Sequence, residues 1–199
     1  MSRIRERIYI PAGAFEAYDA SHQNLGDSTC ILAQVTSRPL YGLKFGAVSD
    51  IGYCRYKLPI FYNPDFDLGI RLNWTSGSST SADTIDWTTV FEFVKTDNAI
   101  PTSISKVLDT IIAQDTVGAA TAFLNKWTSR GIIDKDNSEV PTREQVEAGV
   151  DLLLKNTLSA TAIDVASEIV WLLGIEIDFV RLDFVGSSGF DEVLSSIET

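Results

Sequence analysis

Between residues 68 and 74 apolar and polar positions alternate strictly. Leu68, Ile70, Leu72 and Trp74 stand against Gly69, Arg71 and Asn73. A period of two sends successive side chains to opposite faces, so the spacing predicts a strand with one buried face. Residues 75–83 are small and polar and predict a loop. The alternation then resumes, with Ile85, Trp87, Thr89, Phe91 and Phe93 on one side and Asp86, Thr88 and Glu92 on the other. Upstream, Cys54, Tyr56, Leu58, Ile60 and Tyr62 predict a strand over residues 53–62. Pro59 cannot donate to a ladder and marks that strand as an edge or a bulge. Asn63-Pro64-Asp65 predicts a turn. Shorter strands are expected at residues 8–10 and 41–45, and longer ones at 150–156 and 169–179. In the last, Trp171, Leu173, Ile175, Ile177 and Phe179 share a face, and Val170 and Leu172 predict that both faces are covered at its start.

Helical spacing is rarer. Ile104, Val107, Leu108 and Ile111 predict a short helix over 103–112, opened by Ser103 or Ser105. Residues 117–127 fit a helix through Val117, Ala120, Leu124 and Trp127, and equally a strand through Val117, Ala119, Phe123 and Trp127. Thr142 and Gln145 have capping-box spacing and predict a helical turn. Strands separated by polar loops predict a mainly β fold, an antiparallel jelly-roll-like β-sandwich with one or two short helices. The expected organisation is an arm and first strand at 1–11, a sandwich domain at 12–185 and a hinged amphipathic tail at 186–199. That tail opens with Gly186-Ser187-Ser188-Gly189 and carries Phe190, Val193, Leu194 and Ile197 on one helical stripe. So short a helix is not stable alone and must dock, on its own domain or on another subunit.

Composition narrows the function. The chain has 199 residues, 27 acids against 16 bases, and a net charge of −11. Affinity for phosphate rests on clustered Lys and Arg, so no nucleic-acid partner is expected. The charge divides unevenly: a balance of +2 over residues 1–57 and −13 over 58–199. Arg3, Arg5 and Arg7 alternate, so an extended backbone puts all three on one side. They read either as a solvated strand end or as an arm lying on an acidic neighbouring subunit. The opening residues do not read as a secretory signal, so none is expected, and the longest apolar run, 169–175, is far short of a bilayer span. A protein made in a cytoplasm and not inserted in a membrane is therefore expected. In that compartment Cys30 and Cys54 are expected as free, buried thiols.

Candidate chemistry is thin. His22 is the single histidine, so a Cys–His nucleophile has little to draw on. The loop at 75–81 has one glycine and no cation and makes a poor phosphate cradle. Residues 134–145 begin like a calcium loop, but Glu139 stands where glycine is needed and Gln145 where a bidentate glutamate is needed. Asp65 with Asp67, and Glu176 with Asp178, read as solubilising pairs. No catalytic residue, metal site or cofactor is expected.

Three passages occur in order across residues 7–180. They are Arg7-Ile8-Tyr9-Ile10-Pro11, then Leu72-Asn73-Trp74-Thr75-Ser76-Gly77 leading to Asp86-Trp87-Thr88, and Leu172-Leu173-Gly174-Ile175-Glu176-Ile177-Asp178-Phe179. The set resembles minor structural proteins of tailed bacteriophages, jelly-roll-like β-sandwich proteins of the virion. It implies a non-enzymatic virion protein, with capsid decoration (cement) favoured, that bridges and stabilises neighbouring capsid subunits. The implied partners are the major capsid protein or other virion proteins, and copies of itself as a trimer. Arg3, Arg5, Arg7, Phe190, Val193, Leu194 and Ile197 are then the expected subunit contacts. The alternatives are a phage tail or fibre component, or a carbohydrate-binding β-sandwich module. The last is motivated by Trp74, Trp87, Tyr53 and Tyr62. A sugar platform needs exposed rings, and the alternation puts both of those tryptophans inside.

Overall fold

The computed structural model describes residues 4–14, 30–47, 50–77, 84–99, 103–108, 115–116, 123–161 and 170–182. Its strands are β1 (Arg5–Pro11), β2 (Ile31–Gln34), β3 (Tyr41–Phe45), β4 (Ile51–Lys57), β5 (Leu68–Ser76) and β6 (Thr84–Lys95). They continue as β7 (Lys106–Val107), β8 (Asp115–Thr116), β9 (Lys126–Trp127), β10 (Gly131–Ile133), β11 (Val150–Thr161) and β12 (Val170–Val180). One 3-10 turn (Ala12–Ala14) and one short helix, α1 (Arg143–Ala148), complete the set. The strands form a seven-stranded sheet, β10-β5-β12-β3-β2 with β1 on β12 and β9 on β5, and a five-stranded sheet, β4-β11-β6-β7 with β8 on β6. Every strand pairing among the described residues is antiparallel. The fold is a mainly β antiparallel sandwich, as the alternation predicts.

The two strands with the clearest alternation, β5 and β6, belong to different sheets. Their apolar faces meet in one core. Leu68, Ile70, Leu72 and Trp74 from one sheet and Ile85, Trp87 and Phe91 from the other are all buried. Phe45 of β3 meets Trp87 of β6 edge-on at 5.0 Å, closing the sheets together. Each such side chain contributes about 1.5–3 kcal/mol by leaving water. Cys30 and Cys54 are buried thiols in no disulfide, and burial with the nearby Asp50 charge pushes the Cys30 thiol up.

Three expectations are corrected. The strand expected over 53–62 stops at Lys57. After it, Tyr62 donates its N–H to the Pro59 carbonyl in a turn that Arg143 of α1 clamps through the Ile60 and Tyr62 carbonyls. Ile60 consequently points to solvent rather than sharing a face with Cys54. The helix expected over 103–112 is absent from its described part: residues 103–105 are irregular and Lys106–Val107 pair with β6. Pairing to a sheet edge outweighs a helical pattern only about two turns long. In β12 the register shifts between Leu172 and Gly174. The bulge places Val170, Leu172, Ile175, Ile177 and Phe179 in the main core, while Trp171 and Leu173 join Val35 in a small second cluster with Phe123 packed against it. Both faces of β12 are covered at its start, as expected.

The helical turn at Thr142 forms as predicted, with both hydrogen bonds of the capping box present. Of the ambiguous stretch 117–127, residues 117–122 lie outside the described residues, and the end is the two-residue strand β9.

One core pair is polar. Thr89 donates to Asn156 Oδ1 at 2.8 Å across β6 and β11, and Asn156 Nδ2 is buried without a partner among the protein groups. A buried hydrogen bond contributes little net stability, but an orphaned partner costs about 1–3 kcal/mol. Thr89→Val alone is therefore expected to destabilise by about that amount, by stranding Asn156 Oδ1 beside an Nδ2 that already lacks a partner. Combined with Asn156→Leu it is expected to return to within about 1 kcal/mol of the parent or above it. Urea unfolding of the two variants checks this.

Candidate functional site

The outward face of the seven-stranded sheet holds a connected set of polar and aromatic side chains. Antiparallel partners directly opposite one another share a face, so register fixes who meets whom. Along β1 and β12, Arg7 is opposite Asp178 and Tyr9 opposite Glu176. Along β12 and β5, Glu176 is opposite Arg71, Gly174 opposite Asn73 and Asp178 opposite Gly69. On the far side of β5, Asn73 is opposite Trp127 of β9.

Two glycines shape this face. Gly174 leaves space over β12 into which Tyr9 lays its ring, and a Cβ there would stand 2.5 Å from the Tyr9 hydroxyl. Tyr9 thus crosses a whole strand, and its hydroxyl donates toward Asn73 Oδ1 at 3.3 Å and the Leu173 carbonyl at 3.1 Å. Burial pushes its phenol above the ordinary value, so the hydroxyl remains a donor. Asn73 is saturated in turn, its Nδ2 donating to Asn125 Oδ1 and the Lys126 carbonyl. Gly69 does the same for Arg130, which passes over β5 to Asp178; a Cβ at Gly69 would meet that pair at 1.9–2.1 Å. Arg130 holds Asp178 through Nε at 2.9 Å and a terminal nitrogen at 2.6 Å, and Arg5 adds a contact at 3.2 Å. Asp178 is only 8% exposed, so this Glu176/Asp178 pair does more than solubilise a face.

The aromatic part is open. Tyr9 is 47% exposed and Trp127 half-buried, with their rings edge-to-face at 5.9 Å. The Arg71 guanidinium lies over the Trp127 ring at 5.4 Å and reaches Glu176 at 4.0 Å. Packing and hydrogen bonds hold each member, so the face is formed before any ligand arrives.

The residues singled out by sequence fare differently. Arg5 is on this face, engaged within its own chain, and Arg7 is beside it, exposed and in no ion pair among the described residues. β1 is an ordinary strand of the chain's own sheet over that range. Arg3, Phe190, Val193, Leu194 and Ile197 lie outside the described residues, as does His22. Of the aromatics proposed for sugar contact, Trp74, Trp87 and Tyr62 are buried at 0–2% exposure, and Tyr53 is half-buried. Residues 134–139 form polar turns, with Asp134 and Asn137 capping backbone N–H groups two residues on. No group of three metal-ligating side chains occurs among the described residues. A cleft of about 210 Å³ beside α1, lined by Lys57, Lys95, Thr96 and Asp151, has no aromatic wall.

Tyr9 and Trp127 were not signalled by local pattern. The clue available was Gly174 inside a strongly apolar run, since a glycine within a strand often marks a close approach.

No family model matches the chain, and no curated protein matches it. Among solved structures, it is similar to the CBM36-1 domain of a multidomain xylanase from the hindgut metagenome of Trinervitermes trinervoides. The identity is 8%, covering 86% of this chain and 96% of that one, with a TM-score of 0.44. It is also similar to the carbohydrate-binding module CBM36 in complex with calcium and xylotriose. There the identity is 11%, the coverage 86% and 98%, and the TM-score 0.42. Likeness at this level transfers no ligand from one sandwich to another.

Proposed function

We propose that this chain is a non-enzymatic β-sandwich module that binds carbohydrate on the outward face of its seven-stranded sheet. The observation that carries this reading is the seated Tyr9–Trp127 pair with Arg71, Glu176 and Asn125 around it. Sugars present flat apolar C–H faces and a rim of hydroxyls. Fixed aromatic rings suit the first, and planar amide, carboxylate and guanidinium groups suit the second.

The test uses the tryptophans themselves. Trp74, Trp87 and Trp171 are buried and Trp127 alone is half-exposed. Titration with soluble polysaccharides is expected to change the intrinsic fluorescence through Trp127. Trp127→Ala, whose affinity is read by calorimetry because the reporter ring is gone, is expected to bind about tenfold more weakly, the equivalent of ~1.4 kcal/mol, while the unfolding curve shows a folded protein. Binding unchanged in Trp127→Ala, or absent across neutral and acidic polysaccharides, overturns the reading.

A second reading, the virion structural subunit implied by the resemblance, is favoured by a different observation. Leu32, Leu40 and Tyr41 on and beside the edge hairpin β2–β3 are 45–59% exposed. A sheet edge that no strand covers among the described residues, with apolar side chains on it, suits a neighbouring subunit. Its test is a trimer in solution, or co-assembly with a capsid or tail protein, that is lost in Leu40→Lys with Tyr41→Lys.

A further inference from the structure

We propose that the ligand of this face is an acidic polysaccharide, one carrying carboxylates on its sugar rings; this rests on the carbohydrate reading above. The chain as a whole is strongly acidic, at −11. The outward face of the seven-stranded sheet runs against that balance. Among the described residues, Arg5, Arg7, Arg71 and Arg130 stand there around Glu176 and Asp178.

The two carboxylates do not satisfy the arginines. Asp178 is taken on both oxygens by Arg130, so Arg5 reaches it at only 3.2 Å with its side chain 44% exposed. Arg71 lies over Trp127, gives its Nε to the Thr128 carbonyl at 3.3 Å and touches Glu176 only at the 4.0 Å limit, so its charge is weakly matched among the described residues. Arg7 is exposed and makes no ion pair among the described residues. A guanidinium is a planar fork of donors that matches a carboxylate edge to edge.

Spacing favours separated single charges over a dense backbone. Neighbouring strands lie about 4.8 Å apart and alternate residues of a strand about 6.8 Å apart. The arginines therefore form an open grid, roughly 14 Å across from β1 to β10, with the Tyr9–Trp127 shelf along one side. A polymer of sugar rings offers ring faces to the shelf and one carboxylate per ring to the grid. Nucleic acid offers a denser phosphate line, about one charge per 1.7 Å of duplex, than a grid spaced at about 4.8–6.8 Å matches.

The experiment titrates the full chain with oligogalacturonate and with the same oligomer as its methyl ester, reading the Trp127 fluorescence. The acid form is expected to bind about tenfold tighter or more than the ester. Arg7→Glu and Arg71→Gln are each expected to weaken the acid form about fivefold or more, with Arg7→Lys in between. An ester that binds as tightly, or a neutral glucan that binds while the acid form does not, overturns the carboxylate and leaves the carbohydrate reading standing. Binding of none of these removes both. Displacement of oligogalacturonate by duplex DNA at equal affinity, or a self-association that Arg7→Glu abolishes, also overturns the proposal in favour of another polyanion or a second copy.

Discussion

Gly174→Ala is expected to lower the unfolding free energy by about 3 kcal/mol, the upper end of what overpacking costs. The added Cβ would stand 2.5 Å from Tyr9 Cζ and 2.6 Å from the Ile10 carbonyl oxygen. The first clash can be relieved by swinging the ring away, at the cost of both Tyr9 hydrogen bonds. The second is with backbone and can be relieved only by moving β1 off β12. A double-mutant cycle separates the two, with urea midpoints as the readout. Tyr9→Ala should recover the ring part in the Gly174→Ala background and leave the backbone part. Full recovery would mean that β1 and β12 have room to spare. No loss in the single variant would mean that Tyr9 is not seated over Gly174 at all.

Trp87→Ala is expected to cost about 3–5 kcal/mol for the lost burial and cavity, and about a further 0.5–1.5 kcal/mol for the lost edge contact with Phe45. Against a typical net stability of about 5–15 kcal/mol, that leaves a protein at the margin of folding. Trp87→Phe should behave very differently. It keeps a ring against Phe45 and removes an indole N–H that is buried without a hydrogen-bond partner. Its cost is expected near 1 kcal/mol, because an unsatisfied donor disappears with the lost volume. Thermal and urea unfolding of the pair settle the point. Equal losses in both variants would show that the N–H does have a partner.

The parts of the fold that sequence reveals are those where burial imposes a period over many residues. β6 alternates because one side of it is core, and β5 because one side joins the apolar core while the other, though also largely buried, packs polar side chains such as Asn73 and Thr75. β12 defeats the same logic at its middle. Leu172, Leu173, Gly174 and Ile175 are all apolar, so the period does not show the change of phase at the bulge, which only Gly174 hints at, and Trp171 with Leu173 is assigned to the wrong core. Val107 shows the opposite failure, a helical spacing on a residue that pairs at a sheet edge and is 55% exposed. The candidate site was legible only in part. Arg5 and Arg7 stood out by alternation, but their company did not. Tyr9 meets Asn73 across 64 positions and Arg130 meets Asp178 across 48, and no local window contains such pairs. Trp127 belongs to a strand of two residues, too short to show a period.

The pairing of β1 with β12 also sets an order of events. Arg5 and Asp178 are 173 positions apart in the chain, and every rung between these strands closes a loop nearly as long. Contacts of such separation form late, after their ordering entropy has been met by nearer ones. During synthesis Tyr9 leaves the ribosome early and has no seat until Gly174 follows it. The arginine grid and the aromatic shelf are therefore among the last features to appear, so ligand recognition reports that the whole sandwich has closed.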